Sequence, residues 1–164
     1  MRFFPQSRWR ALSLLILCCA ALLLAGCDRS SDALARFHAI DITGAEYARD
    51  FPLPDHNGRQ RSVRDFAGKV VVVFFGYTQC PDVCPTTMAE LAQVKKSLGA
   101  DGDKLQGVFV TIDPERDTPA ILKSYMASFD PSFVALRGSA EQTKAAAQEF
   151  KIFYAKVPGK VEGS

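Results

Sequence analysis

Val70-Val-Val-Val-Phe-Phe-Gly-Tyr-Thr-Gln-Cys80-Pro-Asp-Val-Cys84-Pro85 is the stretch on which the fold turns. Its first half is an apolar, β-branched run closed by Gly76, which reads as a strand buried on both faces and as the central strand of a sheet. Beyond Pro85, Met88, Leu91, Val94 and Leu98 recur at spacings of three and four residues, Lys95 and Lys96 fall in the last turn, and Gly99 follows as a left-handed cap. That pattern predicts an amphipathic helix. The two cysteines therefore lie where a strand ends and a helix begins, the crevice position at which open α/β sheets carry their sites.

Downstream the alternation continues. Gly107-Val-Phe-Val-Thr-Ile112 reads as a second strand, and Pro119 to about Phe129 as a helix with Thr118 as its cap and Pro119 at its first position. Phe133 to Leu136 reads as a third strand. Ser139 with Gln142 is a capping-box pattern that opens a helix to about Phe150, and Ile152 to Val157 is expected to form a further strand. Strands separated by helical crossovers imply parallel pairs with helices on both faces, hence an α/β fold. Upstream, Phe51 to Gly58 runs into Arg59 to Val63, and Asn57-Gly58 is expected to supply the positive φ angles of a tight hairpin turn. No internal repeat is visible.

The chain of 164 residues has room for one globular domain. Arg2, Arg8 and Arg10 precede the apolar run Ala11 to Ala25, after which small residues lead to Cys27, the three parts of an export signal. Leu24-Ala25-Gly26-Cys27 resembles the lipobox of bacterial lipoproteins, which implies a signal peptide over residues 1–26, a lipid anchor on Cys27 and a tether over 27–45. Asp28 resembles the signal that keeps such lipoproteins on the inner membrane. The other reading, an uncleaved signal anchor, would need a longer apolar run for a full span. Both place the body outside the cytoplasm, facing the periplasm or the cell exterior. Beyond Cys27, 17 basic side chains face 18 acidic ones. A near-neutral body without a basic run offers no electrostatic footprint for nucleic acid.

Cys18 and Cys19 fall in the apolar signal and Cys27 in the lipobox, which leaves Cys80 and Cys84 for the body. Two cysteines do not make a disulfide scaffold, and a bridge across so short a loop removes little unfolded-state entropy. Redox or metal chemistry explains the pair better. At the start of a helix the unpaired N–H groups and the dipole favour thiolate. If both residues were helical, a separation of four would put the side chains on one face about 6 Å apart along the axis, which permits a disulfide or shared metal ligation. Two thiolates are too few for a Cys₄ zinc or cluster site, whereas Cu(I) accepts low coordination.

Val73-Phe-Phe-Gly-Tyr-Thr-Gln-Cys80-Pro-Asp-Val-Cys84-Pro and Thr111-Ile-Asp-Pro-Glu-Arg-Asp-Thr118 closely resemble the Sco/SenC family of copper chaperones for cytochrome c oxidase assembly. The resemblance runs from about Phe51 to the end, within a domain drawn over residues 46–164. It implies a thioredoxin-like fold with an N-terminal hairpin, copper held by Cys80, Cys84 and a later histidine, and delivery to the binuclear copper centre of the oxidase. A copper-site subunit or another copper chaperone would be the partner. The chain reaches Ser164 before any residue matching that histidine, so the resemblance implies that this ligand, the last strands and the terminal helix lie beyond it. His38, in the tether, and His56, in the hairpin turn, are poor candidates for the third ligand. Asp113 ends its strand on the side of the cysteines, so it is a candidate for supporting the site, although Asp113 to Thr118 also suits a turn that caps the next helix. Asp82 fits dipole compensation. The rival function is that of a thiol-disulfide oxidoreductase, with Cys80 attacking and Cys84 resolving through a disulfide between them. A peroxidase is disfavoured, since Thr78-Gln79-Cys80 lacks the T-x-x-C spacing of peroxiredoxins.

Overall fold

The computed structural model describes residues 39–156. The chain divides into two compact units, Met1–Gly44 and Ala45–Ser164. The signal segment, Cys27, Asp28 and His38 lie outside the described residues. Among the described residues no helix is long and apolar enough to cross a membrane.

The second unit opens with the expected hairpin, β1 (Leu53–Pro54) paired antiparallel to β2 (Gln60–Arg61). The turn is longer than the tight one expected. Only Gly58 takes positive φ, at 80°, and Asn57 does not. The Asp55 carboxylate closes the loop by accepting from the N–H groups of Asn57 at 2.8 Å and Arg59 at 3.0 Å, so side-chain bonding replaces a two-residue turn. Arg61 pairs with the same carboxylate at 2.9 Å.

After a short 3₁₀ turn, β3 (Val70–Gly76) leads into α1 (Val83–Ser97). A second 3₁₀ segment follows, then β4 (Leu105–Thr111), α2 (Pro119–Ala127), β5 (Val134–Leu136) and α3 (Ala140–Glu149). The caps work as their residue types predict. Thr118 accepts from the Ile121 N–H at the start of α2, and Ser139 and Gln142 form a reciprocal box at the start of α3.

The sheet is parallel, in the order β3-β4-β5. This corrects the expectation for Val70 to Phe75. Among the described residues β3 pairs on one side only, its side chains are mostly half-buried and Val70 is exposed, whereas β4 is central and buried along its whole length. An apolar run reports that both faces receive contacts but not how many neighbours the strand has. Both faces of β3 do receive them: Val71, Val73 and Phe75 meet one core cluster and Phe74 the other.

Period-two alternation along β4 divides the core. Val108 and Val110 join Phe51, Leu53, Phe66, Val134, Leu136 and Ala146, so the hairpin and α3 cover one face. Leu105 and Phe109 join Met88, Leu122, Met126, Phe133 and Ala135, so α1 and α2 cover the other. The hairpin docks on β5 through backbone bonds from His56 N–H to the Ala135 carbonyl, 2.9 Å, and from Arg137 N–H to the Pro54 carbonyl, 2.9 Å.

Ile152 to Val157 does not match the expected strand. Residues 152–156 are irregular and Val157 lies outside the described residues. Phe153 is exposed, and no described strand pairs with the segment, so it lacks the ladder that makes extended backbone a strand.

Candidate functional site

β3 ends at Gly76, whose carbonyl accepts from the Ile112 N–H at 2.8 Å, so β3 and β4 finish level and their following loops share one end of the sheet. The first loop, from Tyr77 to Asp82, carries Cys80. Helix α1 starts at Val83 rather than at Pro85. Cys84 is thus inside the first turn, and Pro85 fits there because first-turn N–H groups have no intrahelical partner. Cys80 is not helical. The two thiols meet because the loop folds back over the helix start, with the Cys84 N–H donating to the Cys80 sulfur at 3.4 Å. Both thiols are free, Cys80 half-exposed and Cys84 only 5% exposed.

This placement makes the pair unequal. The thiol of Cys84 and then its backbone N–H donate to the Cys80 sulfur, with the N–H groups of Asp82 and Val83 adding to them, and together they hold the Cys80 thiol below its usual range. Burial, reinforced by the Cys80 sulfur beside it, pushes the Cys84 thiol up to about 11. A bond to the charged form lowers one value and desolvation raises the other. The arrangement offers one accessible nucleophilic sulfur and one protected sulfur next to it. Both are soft donors.

Behind the pair stands Tyr125 on α2, packed against Phe109 and Phe129, its hydroxyl buried without a hydrogen-bond partner. Burial, and then the negative charge of the two sulfurs and Asp117, push that hydroxyl up to about 12.

The second loop, after β4, holds Asp113 and Asp117. Asp113 donates its N–H to Thr111 Oγ1 at 3.0 Å, and its carboxylate pairs with Arg116 Nε. Arg116 in turn donates to Gln79 Oε1 at 3.2 Å, so Asp113 reaches the neighbour of Cys80 through one intervening side chain. Asp117, which the sequence reading passed over, is the acid that turns inward. It is 1% exposed and accepts from the Thr78 N–H at 3.2 Å and from the hydroxyls of Thr78 and Thr111. The sequence signal for it was slight: it precedes the helix-capping Thr118, but nothing local separates it from Glu115 or Asp113. Asp82 precedes α1 without a side-chain bond to the helix backbone.

His56 is committed elsewhere, its Nδ1 accepting from the Ala135 N–H at 3.2 Å. Among the described residues no group of three or more His, Cys, Asp or Glu side chains is placed to hold a metal ion. Cys80 and Cys84 bring two soft sulfur donors together at this end of the sheet.

Residues 41–164 match the SCO1/SenC family. The chain belongs to that family. An SCO2-like protein of Rickettsia felis is 40% identical over 110 residues, 67% of this chain and 54% of the relative. Thus the chain spans about half the length of the curated relatives it matches first. The copper-bound structure of Bradyrhizobium japonicum ScoI is 41% identical, with a TM-score of 0.64 over 70% of this chain and 73% of that one. BsSco, described as having a disulfide switch and as a member of the Sco family of cytochrome c oxidase assembly proteins, is 25% identical, with a TM-score of 0.56 over 67% of each chain. The α/β fold described above is the thioredoxin-like fold of these Sco structures.

Proposed function

We propose that this Sco/SenC protein binds copper through the thiolates of Cys80 and Cys84 and passes it to the binuclear copper centre of cytochrome c oxidase. The supporting observation is the thiol pair itself, one sulfur buried at the start of α1 and the other half-exposed above it. Soft thiolates select Cu(I), which tolerates two ligands. A cargo site must also release its metal. Cys80, reachable from solvent, is the sulfur an incoming ligand can displace first, while Cys84 keeps hold of the ion until exchange is complete. The Bradyrhizobium relative carries copper, which supports the same cargo here. The domain would work from the outer face of the inner membrane, held by a lipid on Cys27, with a copper-site subunit or another copper chaperone as partner.

The test is Cu(I) competition against a chromophoric chelator. Cys80→Ser or Cys84→Ser is expected to abolish tight binding, and His56→Ala to leave it unchanged, because the His56 imidazole is already bonded to β5. Equal losses in all three variants would mean that the site is drawn wrongly.

A second reading, thiol-disulfide exchange with cysteines of a copper-site subunit, is favoured by the inequality of the two thiols. A nucleophilic, accessible Cys80 beside a protected, high-pKa Cys84 suits an attacking and a resolving pair. Reduction of an oxidised subunit by the metal-free dithiol, with no copper bound by the wild-type protein, would select this reading over the first.

A further inference from the structure

We propose that Asp117 is a positioning residue of the thiol site, its buried carboxylate holding the loop that carries Cys80 at the distance from α1 that lets the two sulfurs act together. The proposal rests on the reading that Cys80 and Cys84 act as a pair.

Cys84 needs no such help, because the first turn of α1 and burial fix it. Cys80 hangs on an irregular loop. Within that loop the Cys80 N–H reaches the Tyr77 carbonyl at 3.2 Å, and Gln79 touches the exposed Arg116. The attachment to a buried group is made by Thr78, two residues before Cys80. Its N–H lies 3.3 and 3.2 Å from the two carboxylate oxygens of Asp117, and its hydroxyl donates to one of them at 2.5 Å. The other oxygen accepts from the Thr111 hydroxyl at the end of β4, also at 2.5 Å. The carboxylate therefore ties the cysteine loop to the central strand. Its own direction is set by backbone bonds from Asp117 N–H to the Asp113 carbonyl and from Thr118 N–H to the Arg116 carbonyl, just ahead of α2.

Packing alone does not account for this choice of residue. Among the described residues no basic side chain pairs with Asp117, and a carboxylate buried without a cation carries a large desolvation cost. What a carboxylate offers that an amide does not is two oxygens that only accept, able to take three donors at once, whereas asparagine would turn an NH₂ group toward one of them. Two of the three donors belong to Thr78 and the third to Thr111, so the carboxylate fixes Thr78 relative to the end of β4, and through it the reach of Cys80.

The experiment uses the metal-free full chain in detergent, equilibrated with glutathione. In that exchange the Cys80–Cys84 disulfide and two glutathione thiols give the dithiol and glutathione disulfide, two electrons and two protons passing to the protein. Differential alkylation and mass spectrometry of the tryptic peptide spanning 70–95 read this pair apart from Cys18, Cys19 and Cys27. Asp117→Ala and Thr78→Val are expected to lower the effective concentration of one thiol toward the other roughly tenfold, with Asp117→Asn in between. Asp55→Asn, which alters another buried carboxylate far along the chain in the hairpin loop, is expected to lower stability without moving that constant. Wild-type constants in Asp117→Ala and Thr78→Val, or an equal shift in Asp55→Asn, would overturn the positioning role. If Asp117→Ala does not fold, as judged by circular dichroism, Thr78→Val decides. Because the readout is metal-free, failure of the wild-type chain to bind Cu(I) would remove the copper proposal and leave this one standing or falling on its own result.

Discussion

Replacing Gly76 with alanine joins the fold to the site more directly than any other single change. Gly76 is the last residue of β3 and is buried. A Cβ there would stand 2.9 Å from Cys84 Sγ, 2.9 Å from Phe74 Cε1 and 3.0 Å from Phe109 Cε2. Comfortable carbon contacts are about 3.5–4.0 Å, so each neighbour must retreat by roughly 0.5–1 Å. Little room exists for that. Phe109 is fully buried between Phe74 and Tyr125, and Cys84 is fixed in the first turn of α1. Overpacking of this kind costs about 1–3 kcal/mol, against a gain of at most ~1 kcal/mol from the stiffer unfolded chain. Urea unfolding should therefore show a net loss of about 1–2 kcal/mol with an unchanged m-value, and the thermal midpoint should fall by roughly 3–10 °C. The same displacement moves one sulfur of the pair, so Cu(I) affinity should fall at least ~10-fold at temperatures where the variant is fully folded. A variant with wild-type stability and wild-type Cu(I) affinity would refute both the close packing at the end of β3 and the placement of Cys84 against it.

The unequal thiols should show in alkylation of the reduced, metal-free protein. At pH 8 a thiol with a pKa of about 11 is only ~0.1% ionised, whereas one held below its usual range by hydrogen bonds to its sulfur is ionised to a far larger extent. Iodoacetamide should thus modify the accessible Cys80 faster than the buried Cys84, and the Cys84 rate should keep rising toward pH 11 after that of Cys80 has levelled off; equal rates at pH 8 would contradict the assignment. In cells, Cys27→Ser should release the protein from lipid modification, read as loss of a diacylglycerol-sized mass at the mature N-terminus, and an unmodified, uncleaved N-terminus in the wild type would remove the anchor from the proposal.

What could be read from the sequence was local. The apolar run from Val70, the three-and-four spacing from Met88 to Leu98, and the capping residues Thr118 and Ser139 each act within a turn or two of themselves, so their strands and helices were legible to within a few residues. The long motif around Cys80 and Cys84 was legible for the same reason: it is contiguous. The structure decided what depends on neighbours distant in the chain. Val70–Gly76 lies at the edge of the described sheet, and β4 takes the centre, because strand order is a matter of pairing and hydropathy reports only burial. The segment from Ile152 has strand-forming residues but no described partner strand, and extended backbone without a ladder leaves its N–H and C=O groups to water. Asp113 and Asp117 look alike in Asp113-Pro-Glu-Arg-Asp117, yet only the second is buried against Thr78, whose backbone lies 39 residues earlier. The contact between the Cys80 sulfur and the Cys84 N–H likewise comes from a loop folding back onto a helix start. Spacing placed two thiols near each other in sequence; tertiary packing made one of them accessible and the other buried, because desolvation and hydrogen bonding act through space.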